Sequence, residues 1–292
     1  MLETALQFIL NGIVTGCFYA LVAVGLTLVF GMMGVVNFAQ GEFFVLGGML
    51  AYVATVQLGL PFYAAIPAVL AIMWVVGMVV DYVLLRPMRD AHMLSTAMVT
   101  IGLSIFLLNT MLLVFGAEPK NILSGFSSKP IFMGGLLITQ SRLFTIVISV
   151  VAIIAVHLLI AKTRVGRAMR AVFQQKEAAA LVGIPIDRIY RFTFALGTTL
   201  AALSGILLGS VFVASLSTAE LTTVKAFVVV ILGGMGSFAG AIVGGLLLGL
   251  VESLWGGFVS TGYMDVIGFA LVIVLLLFRP RGLFGMAEAR ER

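Results

Sequence analysis

The chain has 292 residues, 62% of them hydrophobic and only 10% charged, with a mean hydropathy of +1.21. One water-surrounded core cannot hide that much apolar surface, so lipid must cover the excess. This excludes a soluble enzyme, a disordered chain, a secreted disulfide scaffold and a nucleic-acid-binding domain. The net charge of +5 reports topology: 13 of the 17 basic residues fall in three zones, at 86–89, 162–191 and 279–292, and such clustering marks loops kept in the cytoplasm.

A helix needs about 20 apolar residues to cross roughly 30 Å of hydrocarbon. The first such run, 6–30, is preceded only by Glu3, without the basic start of a cleaved signal peptide, and is expected to be a retained helix. Its Cys17 is the sole cysteine, so it closes no intramolecular bridge and reads as a small buried hydrophobe. A polar island follows at 37–42, where Asn37, Gln40 and Glu42 sit between two apolar runs. A carboxylate at such a place faces a bundle interior or a water-filled cavity, which makes these three residues candidates for a substrate pathway. The competing reading is a helix start, with Asn37 as cap and Glu42 in the first turn, where the helix dipole favours an anion.

Further runs are expected at 62–85, 95–116, 142–161, 192–213 and 262–278, with shorter or glycine-broken ones at 42–57, 221–233 and 238–257. The expected fold is therefore an all-α polytopic membrane protein with 8 to 10 spans, nine if every short stretch crosses. Nine spans with the basic zones inside require an outside N-terminus and an inside C-terminus. The segment 117–141, broken by Pro119, Pro130, Gly134 and Gly135, then lies outside, and its apolar tip 131–138 could dip into the membrane. Residues 1–161 and 192–278 enter the membrane from opposite sides, as inverted repeats do.

Asp81, one turn from Arg86, and Glu252 are expected to pair or snorkel near membrane edges, and His157 to reach headgroups near Lys162. Many of the 33 glycines recur every fourth residue, among them Gly12 and Gly16, Gly205 and Gly209, Gly240 and Gly244, and Gly245 and Gly249. That spacing brings helix backbones close in lipid; a pore-lining role for 233–245 is the alternative. No close histidine pair for a metal and no phosphate-cradling loop are present, so the chain itself is not expected to hydrolyse ATP or to hold a cofactor.

The longest internal polar stretch, 162–191, contains good helix material at Ala168, Ala171, Val172 and Phe173 and at 178–182, with Gly183 and Pro185 as a stop. An insert of this size presents a charged surface to a cytoplasmic partner, or lies on the membrane as an amphipathic helix. Within it, Glu177, Ala178 and Ala179 followed by Gly183 resemble the EAA loop of bacterial ABC importer permeases, although the pattern downstream of Gly183 departs from that loop. Together with the runs from Gly166 to Ala171, from Asn37 to Glu42 and from Arg279 to Phe284, the chain is similar over nearly its full length to the branched-chain amino acid permease family.

The resemblance implies one membrane-embedded permease domain with a cytoplasmic coupling loop at 162–191 and a tail at 279–292. It implies a second related permease subunit, two cytoplasmic ATPases that bind ATP and Mg, and a periplasmic binding protein delivering leucine, isoleucine or valine. ATPase coupling would fall to Gly166, Arg167, Arg170, Glu177, Ala178, Ala179 and Gly183. A permease for urea or short amides, and an ion-gradient-driven secondary transporter, are the alternative readings.

Overall fold

A computed structural model describes residues 2–89, 91–126, 131–133, 136–280 and 282–285. Among them α1 spans Leu2–Met33, α2 Gln40–Tyr52 with a π-helical turn Val53–Gln57, and α3 Phe62–Val80, prolonged by tighter and wider turns to Met88. Helix α4 (Met93–Phe115) precedes a two-stranded hairpin, β1 (Ile131–Met133) against β2 (Leu136–Ile138). There follow α5 (Gln140–Lys162), α6 (Arg164–Gln174), α7 (Lys176–Leu181), α8 (Ile186–Val211), α9 (Thr218–Gly233), α10 (Phe238–Phe258) and α11 (Met264–Phe278).

The architecture is all-α apart from the hairpin. Among the described residues seven helices are long and apolar enough to cross a membrane, while α2 and α9 are shorter, so the nine apolar stretches separate into seven full-length candidates and two short helices. Within the tip, residues 131–133 pair with 136–138 as antiparallel strands. Residues 127–130, 134–135, Arg281 and 286–292, which include Lys129, Pro130, Gly134, Gly135, Arg290 and Arg292, lie outside the described residues.

Helices α1 and α8 form the centre, with 78% of each apolar window buried, whereas α4 and α5 at 17% and α11 at 6% turn Leu, Ile and Val outward. Their outer faces are those of a lipid-facing rim, and the centre is held by backbone proximity. A Cβ placed on Gly25 of α1 would lie 2.7 Å from the Gly197 carbonyl of α8, and one on Gly197 would lie 2.9 Å from the Gly25 carbonyl. Gly12 and Gly16 meet Leu250 and Leu246 of α10 in the same manner. With no hydrophobic force separating helix from lipid tail, this close approach supplies the packing energy.

The long helices end at two opposite ends of the bundle. At the hairpin end the Gln7 side chain exchanges two 3.0 Å hydrogen bonds with the Leu137 backbone, and Phe8 packs edge-on against Phe258. The opposite, basic end carries α6, α7 and an ionic cluster joining α3 to α8. There Leu283 and Phe284 donate backbone hydrogen bonds to the last carbonyls of α9. Pairing of elements repeats in the two halves: α1 packs on α10 as α8 packs on α3, α9 lies on α1 as α2 lies on α8, and α2 meets α9. Helix α1 runs toward the basic end and α8 away from it, so the matched pairs have opposite orientation.

Candidate functional site

The polar island folds into the bundle interior. After α1 ends, residues 34–39 run back along α4, where the Thr100 hydroxyl donates to the Val36 carbonyl at 2.9 Å and accepts from the Phe38 amide at 3.3 Å. Helix α2 therefore starts beside the middles of α1 and α8, with its unpaired N–H groups away from water. Side chains supply the partners: Asn37 Oδ1 accepts from the Ala39 amide at 3.1 Å, and Thr223 Oγ1 of α9 accepts from the Gly41 amide at 2.9 Å. Asn37 Nδ2 donates to Gln40 Oε1 at 3.0 Å, and Gln40 Nε2 reaches the carbonyls of Val22 and Gly197. Backbone that is not helical at this depth persists only where protein satisfies it, which is why Asn, Gln and Thr gather here.

Glu42 is 3% exposed; its Oε1 accepts from Ser104 at 2.7 Å, while Oε2 has no hydrogen-bond partner. The structure thus brings Asn37, Gln40 and Glu42 together where the two short helices begin.

The internal insert forms two helices meeting at an extended Gln175. Thr163 caps α6, its hydroxyl accepting from the Gly166 amide at 3.0 Å, and Gly166 presses so closely on the end of α5 that a side chain would strike the Leu159 and Ile160 carbonyls. Arg170 donates to the Ile160 carbonyl and so closes the end of α5. Met169, Val172 and Ala179 bury with Met32, Ile189 and Tyr190, seating the insert on the ends of α1 and α8. Arg167, Glu177 and Ala178 remain exposed, next to Leu181 at 88% and Val182 at 77% exposure. Gly183 turns the chain back at a φ of +81°, a left-handed conformation that favours glycine. Sequence reasoning did not single out Leu181 and Val182 as surface residues, because apolar side chains at the end of a helix read as core.

Asp81 is fully buried, more deeply than pairing at a membrane edge implies, and its partner is Arg89 at 2.9 Å, with Arg191 at 3.9 Å, while Arg86 pairs with Asp187 at 3.4 Å. The wider turn over Asp81–Leu85 closes with the Arg86 amide donating to the Asp81 carbonyl, while the two side chains take different partners. His157 packs near the Phe238 ring, with centroids 6.0 Å apart.

Glu252, expected as a lone membrane-edge acid, belongs to a cluster. Lys225 Nζ of α9 lies 2.8 Å from the Tyr19 hydroxyl, 3.1 Å from Glu252 Oε2 and 2.8 Å from Asp265 Oδ1, and the Tyr19 hydroxyl donates to Glu252 at 2.7 Å. These groups line a recess of about 450 Å³ at the hairpin end, together with Arg142, whose guanidinium donates to Asn11 at 2.6 Å. The available signal was opposite charges in apolar stretches, at Lys225 and Glu252, but their partnership depends on helix packing. Gly233, Gly240, Gly244 and Gly245 pack against backbone of α9, α10 and α1, as expected for close helix approach. Gly236 instead borders a second cleft of about 450 Å³ at the basic end, between α6 and the turn from α9 to α10.

A family model described as "Branched-chain amino acid transport system / permease component" matches residues 8–276. The chain is 34% identical to the high-affinity branched-chain amino acid transport system permease protein BraD of Pseudomonas aeruginosa, covering 98% of this chain and 97% of the relative. It is 33% identical to the corresponding permease protein LivH of Escherichia coli K12, with the same coverage. Among solved structures, PsaBC from Streptococcus pneumoniae in complex with Fab aligns with a TM-score of 0.51 at 14% identity, covering 94% of this chain and 92% of that one, a likeness of fold alone.

Proposed function

Given that this chain belongs to the branched-chain amino acid transport system permease family, we propose that it is a membrane-spanning subunit of an ATP-driven importer of leucine, isoleucine and valine. The observation that carries this reading is identity over essentially the whole length of permeases named for that transport. The importer is completed by a second related permease, two cytoplasmic ATPases that bind ATP and Mg, and a periplasmic binding protein. The chain contributes no hydrolytic site of its own, and the exposed surface of α6 and α7, with Arg167, Glu177 and Ala178, receives the ATPase. Gly166 and Ala179, buried beneath it, and the exposed Arg170 and Gly183 set the shape of that surface. Proteoliposomes holding the chain with its candidate partners are expected to accumulate labelled leucine only when ATP is enclosed with the ATPases. Uptake driven by an ion gradient without ATPases would overturn the reading.

The basic end lies in the cytoplasm of the inner membrane, and the hairpin end lies outside, with the N-terminus outside and the C-terminus inside. Support comes from the gathering of Arg86, Arg89, the α6–α7 insert and Arg279 at one end. Substituting Glu118→Cys, at a position 88% exposed, in a Cys17→Ala background is expected to give labelling by an impermeant thiol reagent in intact cells. Gln175→Cys should label only after permeabilisation. The reverse pattern would invert the topology.

Asn37, Gln40 and Glu42 border the substrate pathway, where the starts of α2 and α9 meet. The Glu42 carboxylate, buried with one oxygen unpartnered, supports this. Glu42→Gln keeps the shape and the Ser104 contact, so uptake is expected to fall by about tenfold, the scale of one charge-assisted contact, with thermal stability unchanged. Normal uptake in both Glu42→Gln and Asn37→Leu would leave these residues as clamps between helices.

A further inference from the structure

The recess at the hairpin end is closed by side chains from α1, α5, α9, α10 and α11, and its charged groups are Arg142, Lys225, Glu252 and Asp265, two cations and two anions. Lys225 is saturated: its three donors go to Tyr19, Glu252 and Asp265. Glu252, 3% exposed, is likewise held by Lys225 and Tyr19. Two charged groups remain open to a ligand. Among the described residues the Arg142 guanidinium makes one hydrogen bond, to Asn11, and has no carboxylate partner, while Asp265, held through Oδ1 by Lys225, keeps its side chain 51% exposed. Phe8, Val14, Phe212 and Met264 add apolar wall.

We propose that this recess binds a zwitterionic α-amino acid, with its carboxylate on Arg142, its ammonium on Asp265 and its aliphatic side chain against the Phe8 and Met264 wall. Lys225 is shared between two acids, Glu252 and Asp265, which leaves one negative charge in excess there, while Arg142 carries a positive charge that no acid meets among the described residues; a molecule with a separated cation and anion answers both. The guanidinium presents a planar fork that matches a carboxylate, and the apolar wall suits a branched side chain. The ligand identity rests on the transport reading above, and the recess is then the first contact a substrate makes on the outer side. The Lys225 cluster fixes Asp265 beside the cavity, a positioning role.

The test uses the full chain in membrane vesicles, with Cys17→Ala and Thr261→Cys, the latter at an exposed position on the recess lining. L-Leucine should slow thiol labelling there in a saturable manner. L-Leucinamide, which lacks the carboxylate, and 4-methylpentanoate, which lacks the ammonium, should need about tenfold higher concentration or more for equal protection. Arg142→Gln and Asp265→Asn should each abolish protection, and Arg142→Lys should retain part of it; an unchanged unliganded labelling rate reports that each variant is folded. Equal protection by all three compounds, no protection in the parent, or full protection in folded Arg142→Gln would overturn the assignment. Leucine uptake by the assembled importer separates the two readings. Uptake without protection removes the recess and leaves the transport function; protection by leucine without uptake of any branched-chain amino acid keeps the recess and removes the function.

Discussion

Replacing Glu177 with Lys is expected to abolish ATP-driven leucine uptake while the chain still inserts and melts normally. Glu177 stands exposed in the first turn of α7 with no ion pair among the described residues, so its reversal costs the fold little beyond a few tenths of a kcal/mol from the helix dipole. At a docked interface the same change places a cation where an anion fits. Losing a charge contact of this kind costs roughly 2 to 5 kcal/mol, at least about a tenfold loss of association. Uptake in proteoliposomes and co-purification of the ATPase should fall together, with Glu177→Gln intermediate. Gly183 offers a second handle: no atom lies within 4 Å of where its Cβ would be, so a bulky residue there acts only by straining the +81° turn that aims Leu181 and Val182. If the Glu177→Lys protein retained its ATPase and transported at the parent rate, α7 would not be the contact.

Asp81→Ala is expected to be the most destabilising single change at the basic end. Three guanidiniums, of Arg86, Arg89 and Arg191, converge there on two carboxylates, Asp81 and Asp187, and Arg89 is only 11% exposed. Removing the fully buried Asp81 leaves Arg89 and Arg191 facing each other with one acid remaining. Breaking a buried pair in this way costs about 3 to 5 kcal/mol. The melting temperature of the detergent-solubilised protein should drop clearly, whereas Asp81→Leu combined with Arg89→Met, which removes both charges, should recover much of the loss. A melting curve unchanged by Asp81→Ala would refute the role. Because this cluster ties the end of α3 to the start of α8, where the α6–α7 insert rejoins the bundle, uptake should fall with stability.

Helix placement was legible because hydropathy is local. A run such as 62–85 announces itself whatever it touches, and the structure places α3 over Phe62–Val80 with turns to Met88. Gly183 and the composition of 162–182 likewise announced an insert that ends in a turn, since propensity and left-handed backbone are properties of single residues. The break at 37–42 was equally visible, because polar side chains between apolar runs need partners.

The identity of those partners was not visible. Gln40 bonds to Val22 and Gly197, and Gly41 to Thr223, contacts that span from 18 to 182 residues of chain. The hairpin-end cluster joins Tyr19, Lys225, Glu252 and Asp265, of which Tyr19 and Glu252 lie 233 positions apart. Along the sequence each is one isolated polar residue in an apolar stretch, with a membrane edge as its simplest destination. Length, hydropathy and turn residues act locally, so the residues alone specify a helical membrane protein with a helical polar insert at 162–191. Which charges meet, and which cavity they line, depends instead on the rotation and depth at which each helix packs against the others.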